Sequence, residues 1–298
     1  MSARRVQIVE VSPRDGLQAE ERTLPTEVKL ELIERLADAG HTAIEATSFV
    51  SPSAVPQLAD ADLLMRRLPR RPGVRYPVLV PNAKGLERAT AAGATEVAVF
   101  VSASESYSRK NLRHGRDEAL STALAVLKDA KATGLRVRAY ISMVIADPDD
   151  GPTDPSAVAT IGARFIAAGA DELSLGDTIG AGTATQVRAL LAAHRDAKIP
   201  IERIAVHFHD TYGQGLANVL TAIELGVTVV DASIGGIGGS PFAKHASGNL
   251  ATEDVVWMLD GMGIATGLDI RKLAATTRWM SAQLGRELSG RAARALLA

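Results

Sequence analysis

Short β-rich runs alternate with longer amphipathic stretches eight times along this chain, and that alternation limits the fold more than any other feature. It calls for parallel strands joined by helical crossovers, because a strand can return parallel to its neighbour only across a connection of helix length. The reading predicts strands at Val6 to Val11, Thr42 to Ala46, Val74 to Val80, Glu96 to Val101, Arg136 to Met143, Glu172 to Gly176, Arg203 to Phe208 and Val227 to Ala232. Between the first two, Val28, Leu32 and Leu36 fall on one helical stripe with Ile33 and Ala37 beside them. Several crossovers finish on a glycine (Gly40, Gly93, Gly134, Gly169 and Gly226) suited to a left-handed helix cap just before the next strand. Eight units point to a closed α/β barrel, (β/α)8, rather than an open doubly wound sheet, with extra C-terminal helix over about 269–298. No proline- or serine-rich linker divides the chain, so residues 1–298 read as a single catalytic domain.

Bulk properties narrow the function classes. With 33 basic and 34 acidic side chains the net charge is −1, so nothing draws the whole chain toward nucleic acid or an anionic membrane, and small molecules are the expected partners. The absence of cysteine excludes disulfides, thiolate metal sites, iron–sulfur clusters and a thiol nucleophile. The sequence shows neither a signal-peptide core nor an apolar segment of membrane-spanning length, so a cytoplasmic enzyme is expected.

In a barrel of this kind the strand C-termini converge on one mouth. The residues there are unusually polar: Arg14 and Asp15 after the first strand, Glu45 on the second, Asp177 after the sixth, His207 and His209 on the seventh, Ser240 and Asn249 after the eighth. On an extended strand two imidazoles two residues apart share a face, which suits a divalent cation. Asp15, His207, His209 and Asn249 would offer two nitrogens and two oxygens, leaving room for a chelating substrate or water on a six-coordinate ion. Magnesium, manganese or cobalt fits that set better than tetrahedral zinc. Singly, each has an ordinary reading: the histidines as a polar cluster, Asp15 as a turn carboxylate, Asn249 as a loop amide. Their joint occurrence at the mouth favours the metal. Arg14 gives a fixed cation beside that site. On the fifth strand Arg138, Tyr140 and Ser142 alternate with Val137, Ala139, Ile141 and Met143, so the polar side faces the barrel interior. Glycines 235, 236, 238 and 239 allow close backbone approach to a ligand before Ser240. Arg109, Lys110, Arg113, Arg116 and Lys84 form a basic rim able to meet the phosphates of a large anionic cofactor, or else simply a solvated loop.

The segment Val9-Glu10-Val11-Ser12-Pro13-Arg14-Asp15-Gly16-Leu17-Gln18 resembles the first-strand motif of the 3-hydroxy-3-methylglutaryl-CoA (HMG-CoA) lyases, within the DRE-type TIM-barrel metallolyases. Four further blocks, at 44–52, 174–180, 207–214 and 246–254, are similar in order and spacing, and the resemblance runs from about Val6 to Leu273. It implies metal ligation by Asp15, His207, His209 and Asn249, with Arg14, Glu45 and Asp177 also at the site; Gln18, Lys84, Arg138 and Tyr140 are the candidates for binding the substrate. It implies retro-Claisen cleavage of a 3-hydroxyacyl-CoA to acetyl-CoA and a keto acid, acetoacetate if the substrate is HMG-CoA, with a role in leucine catabolism and a homodimer or homotetramer. His207 and Asp15 both remain open as the base. Two departures stand out. The family's glycine-rich-loop cysteine, a proton donor, falls at Ser240, whose hydroxyl is a poorer acid. After the fifth strand, where the lyases carry Cys-Pro-Tyr-Glu-Gly, this chain has Ala146-Asp147-Pro148-Asp149-Asp150-Gly151, expected to alter the charge around the substrate. A lyase for another 3-hydroxy-3-substituted acyl-CoA, a condensing synthase of the isopropylmalate type, and a weakly active acyl-CoA-binding homologue are the alternatives.

Overall fold

A computed structural model describes residues 5–239 and 248–298. Eight strands form one parallel sheet: β1 Gln7–Glu10, β2 Thr47–Ser48, β3 Val78–Leu79, β4 Glu96–Ser102, β5 Arg136–Ser142, β6 Glu172–Asp177, β7 Ile204–Phe208 and β8 Val229–Ala232. The spatial order is β1-β8-β7-β6-β5-β4-β3-β2. The sheet closes on itself where β1 meets the approach to β2. There the Glu10 N–H donates to the Ala43 carbonyl at 3.1 Å, and the Glu45 N–H donates to the Glu10 carbonyl at 2.9 Å. The result is the expected (β/α)8 barrel.

β3 is shorter than the hydrophobic pattern predicts, and β2 lies just past the predicted Thr42 to Ala46, which holds only isolated bridges at Ala43 and Ile44. Pro77 is the reason: its carbonyl accepts from the Ala46 N–H at 2.9 Å, but it has no N–H to return, so the ladder between 42–48 and 74–80 breaks into isolated pairings. The crossover glycines 40, 93, 134, 169 and 226 all adopt positive φ, as their helix-ending positions require.

Side-chain parity divides the strands into two faces. Ile8, Val137, Ala139, Ile141, Leu173, Leu175, Ile204, Val206, Phe208 and Val230 point outward into the main apolar core beneath the helices. Inward positions carry the small apolar clusters Val9, Val11, Ala43, Ala205 and Val229, and Leu79, Ala98 and Tyr140. The polar residues Arg138, Glu172, Ser174, His207 and Asp231 share that inward parity and are buried. The C-terminal segment forms two helices, Ile270–Leu284 and Arg291–Leu297. Asp269, whose carboxylate accepts from the Arg271 and Lys272 N–H groups, caps the first of them, and its own N–H donates to the Ala39 carbonyl at 2.8 Å.

The two long connections at the mouth are more ordered than their polarity suggests. After β4 comes a helix, Glu105–Leu112; after β5, a hairpin of Ala146–Asp147 with Gly151–Pro152.

Candidate active site

β1 runs straight into a five-residue π-helical turn, Ser12–Gly16. The N–H groups of Arg14, Asp15 and Gly16 all turn back on the Val11 carbonyl, at 3.2, 2.8 and 3.2 Å, and this fold-back aims two adjacent side chains at the mouth. Glycine is needed at 16, because a Cβ there would come within 2.7 Å of Ile237. The turn thus lies against the glycine-rich loop after β8.

Asp15, His207 and His209 meet there: their ligand atoms lie within 4.8 Å of one another, and all three residues are buried. His207 Nε2 is 3.8 Å from Asp15 Oδ2. A bridge between His209 and Asn249, with the Leu250 N–H donating to the Phe208 carbonyl at 3.2 Å, brings the segment after β8 alongside. Asn249 Nδ2 donates to Asp15 Oδ2 at 2.7 Å and to the Ile237 carbonyl at 3.2 Å, leaving its amide oxygen as the atom able to bind a cation. Two imidazoles, a carboxylate and an amide oxygen converging from opposite ends of the chain are a fitting donor set for one divalent ion.

Arg14 is pinned from two sides. Its Nη1 donates to Asp15 Oδ1 at 2.6 Å and its Nε to Glu45 Oε2 at 2.7 Å. Gln18 Nε2 adds a third contact to Asp15 Oδ1 at 3.1 Å. Burial pushes the Asp15 carboxyl up, but Arg14 and the two imidazoles more than offset this and hold it below the usual carboxylate range. Glu45 goes the other way: burial outweighs the neighbouring Arg14, its pKa rises, and Oε1 is buried with no hydrogen-bond partner among the described residues. Asp177, at the end of β6, is also raised by burial, although Gly182 and Ala181 N–H groups bond its carboxylate at 2.7 and 3.2 Å. Tyr140 joins the floor of the site, with the Arg14 guanidinium 5.4 Å from its ring centre and the His207 ring edge-on at 6.1 Å.

Other predicted site residues lie elsewhere. Arg138 is 2 % exposed and sits under the site, engaged by Glu172, Asp231 and the Tyr140 hydroxyl. Lys84 is exposed in the first turn of the helix Ala83–Ala91, on the rim beyond β3. Ser240 lies outside the described residues. Two of the five basic rim residues are paired: Arg109 with Glu105, and Lys110 with Asp149. Of the two acidic residues expected to alter the charge around the substrate, only Asp149 is paired with a cation, and Asp150 keeps its charge. Asp149 is spent on Lys110, and Asp150 accepts from the Ser104 hydroxyl at 2.8 Å and the Ser106 N–H at 2.9 Å, stapling the hairpin to the start of Glu105–Leu112.

The sequence reading missed Asp231. Its carboxylate bonds His207 Nδ1 at 3.2 Å, Ser174 Oγ at 2.8 Å and Arg138 Nη2 at 2.6 Å. The signal was parity: Asp231 has the inward position beside His207, as Arg138 does on β5.

A sequence profile described as HMGL-like matches residues 5–280. Mitochondrial hydroxymethylglutaryl-CoA lyase of Bos taurus is 48 % identical over 292 residues, covering 98 % of this chain and 90 % of that protein. The crystal structure of the HMG-CoA lyase from Brucella melitensis superposes with a TM-score of 0.92 at 47 % identity, covering 95 % of this chain and all (100 %) of that one. An HMG-CoA lyase from Acinetobacter baumannii, in complex with coenzyme A and 3-methylmalate, gives a TM-score of 0.94 at 35 % identity, covering 98 % of this chain and 95 % of that one.

Proposed function

Because the chain belongs to the HMGL-like family, with hydroxymethylglutaryl-CoA lyases as its relatives, we propose that it is a divalent-metal-dependent carbon–carbon lyase acting on an HMG-CoA-type acyl-CoA. The observation that carries this reading is the buried cluster of Asp15, His207 and His209, with Arg14 bound to the same carboxylate. These three side chains and the Asn249 amide oxygen would hold a divalent ion, which would supply Lewis-acid polarisation of a substrate hydroxyl and carboxylate.

The protein's own groups account for the rest. Asp15 takes the proton of the tertiary hydroxyl, because both ring nitrogens of His207 are engaged, Nδ1 toward Asp231 and Nε2 toward the ion. The bond between the carbon bearing that hydroxyl and the carbon next to the thioester then breaks, giving a ketone and the enolate of acetyl-CoA. Arg14 steadies the oxygen that gains charge, and its Nη2 is the donor for this, since it has no hydrogen-bond partner among the described residues. Glu45 fixes that guanidinium from behind. Asp177, whose carboxylate accepts from the Gly182 and Ala181 N–H groups, lies near enough to His207 to feel its charge. The enolate carbon finally takes a proton from a general acid, a role assigned to Ser240 by the family pattern.

Incubation of the purified protein with HMG-CoA and Mg2+ or Mn2+ is expected to release acetyl-CoA and acetoacetate, and a chelator to abolish it. If HMG-CoA and related 3-hydroxyacyl-CoAs all survive with metal present, the lyase reading fails. The same reading takes residues 1–298 as one catalytic domain, assembled as a homodimer or homotetramer in the cytoplasm and serving leucine catabolism. No helix among the described residues is long and apolar enough to cross a membrane.

A further inference from the structure

We propose that Asp231 is a positioning residue of the metal site: it selects the tautomer in which His207 offers Nε2 to the ion, and Arg138 anchors it from below. This rests on the metal-dependent reading above. Residue parity makes the contact unavoidable. Asp231 and His207 are register partners on adjacent parallel strands, β8 and β7, and both point inward, so their side chains stand side by side inside the barrel.

The hydrogen-bond pattern gives the contact a direction. His207 Nδ1 faces Asp231 Oδ2 at 3.2 Å, while Nε2 faces Asp15 across 3.8 Å. A carboxylate is acceptor-only, so Nδ1 must carry the hydrogen and Nε2 keeps a free lone pair. Asp231 is itself locked. Its Oδ1 accepts from Arg138 Nη2 at 2.6 Å, and its Oδ2 also accepts from the Ser174 hydroxyl at 2.8 Å. Arg138 is held in turn by Glu172, with Nε 2.8 Å from Oε1, and its Nη1 donates to the Tyr140 hydroxyl at 3.1 Å.

Glu172, Arg138 and Asp231 are at most 5 % exposed and together carry a net negative charge beneath the imidazole, which strengthens it as a ligand. Arg138 therefore acts on the site through Asp231 and Tyr140, not by touching substrate. Asparagine at 231 cannot reproduce this arrangement. If its oxygen faces His207, its NH2 faces Arg138, donor against donor. If the amide turns over, the NH2 faces Nδ1 and forces the hydrogen onto Nε2, where the ion belongs.

The test measures Mn2+ binding directly by calorimetry on Asp231→Asn, on the charge-balanced pair Asp231→Ala with Arg138→Met, which leaves no acceptor for Nδ1, and on Ser174→Ala, each checked for folding by its thermal melt. The His207 ring tautomer is read by long-range 1H–15N NMR of the Mg2+-loaded protein. Both Asp231 variants are expected to bind Mn2+ about 10–100-fold more weakly, Ser174→Ala to show a smaller weakening, and the wild type to show Nδ1–H. Wild-type affinity in a folded Asp231 variant, or an Nε2–H wild-type ring, would overturn the inference. Where neither Asp231 variant folds, unchanged affinity in Ser174→Ala overturns it instead. A wild type that binds no Mn2+ at all counts against the metal-dependent reading; the tautomer reading on the same protein then still judges Asp231.

Discussion

Glu10 shows how much of the site rests on side chains that never touch it. It lies fully buried on the outward face of β1, where Oε1 accepts from the Ser12 N–H at 3.1 Å and the Ile234 N–H at 3.0 Å, and Oε2 accepts from the Thr252 hydroxyl at 2.7 Å. One carboxyl thus joins the turn carrying Asp15 to the loop after β8. Burial pushes its pKa up to about 7, against the hydrogen bonds that lower it, while burial pushes the adjacent His41, 3.4 Å away, down to about 4. A carboxyl raised on folding binds more protons in the folded than in the unfolded state between about 4.5 and 7, so its contribution to stability is present at low pH and is lost as pH rises through that window. His41 has the opposite slope between about 4 and 6.5, which masks the loss at acid pH. Glu10→Gln mimics the protonated acid, so it is expected to match the wild type near pH 4.5 and to exceed it by up to about 3 kcal/mol at pH 8, measured by urea unfolding. Equal stability at both pH values would refute it. The ligand residues were legible in the sequence because chemistry and strand position coincide in them, as in the two-residue spacing of His207 and His209. Glu10, Glu172, Ser174 and Asp231 were not, because a polar residue inside a strand announces its burial only once its neighbours are known.

Elements were legible to the extent that hydrophobic period marks them. Six of the eight strands fall within two residues of their predicted bounds; β3 is cut to Val78–Leu79 and β2 lies just past the predicted 42–46, because Pro77 breaks the ladder, a defect that an apolar count ignores. The helix Glu105–Leu112 carries too little apolar periodicity to be read from sequence. Side-chain caps make it instead. Ser104 accepts from the Tyr107 N–H at 2.9 Å, and Asp150, reaching across from the hairpin, accepts from the Ser106 hydroxyl and from the Ser106 N–H at 2.9 Å, which with the Ser104 hydroxyl hold its carboxyl at about 2. Asp147 fastens the hairpin to the same Ser104 hydroxyl at 2.9 Å. Two connections on the binding face are thus tied together. Asp150→Ala is expected to raise amide exchange about fivefold in both 105–112 and 146–152, leaving β4 and β5 unchanged, as read by hydrogen–deuterium exchange. Faster exchange in only one of the two segments would mean that they are not coupled.

At the scale of the whole molecule, closure of the barrel is what makes a site from distant residues. β1 and β8 are neighbours in the sheet although they stand at opposite ends of the chain, so Asp15 and Asn249 come within 2.7 Å. The C-terminal segment braces the same seam. The N–H groups of Ser289 and Gly290 donate to the Gly235 carbonyl at 3.0 and 3.2 Å, and Arg291 pairs with Asp210, next to His209, at 2.9 Å. Glu253, buried in the helix after β8, accepts from the Gly235 N–H at 3.0 Å and fixes that loop from the other side. An ion bound by Asp15, His207, His209 and Asn249 would tie the first barrel strand to the last two, and only the closed barrel presents all four together. It therefore binds the folded state and not the unfolded chain, so stability grows with the logarithm of metal concentration, by about 2.7 kcal/mol at a hundredfold excess over Kd. The expected outcome is a rise in Tm on the order of 5 °C when Mn2+ is added to chelator-treated protein. His209→Ala should remove most of that rise while retaining the wild-type melting curve in chelator to within a few degrees. An equal metal-induced shift in both proteins would mean that the stabilising ion sits somewhere other than at the mouth.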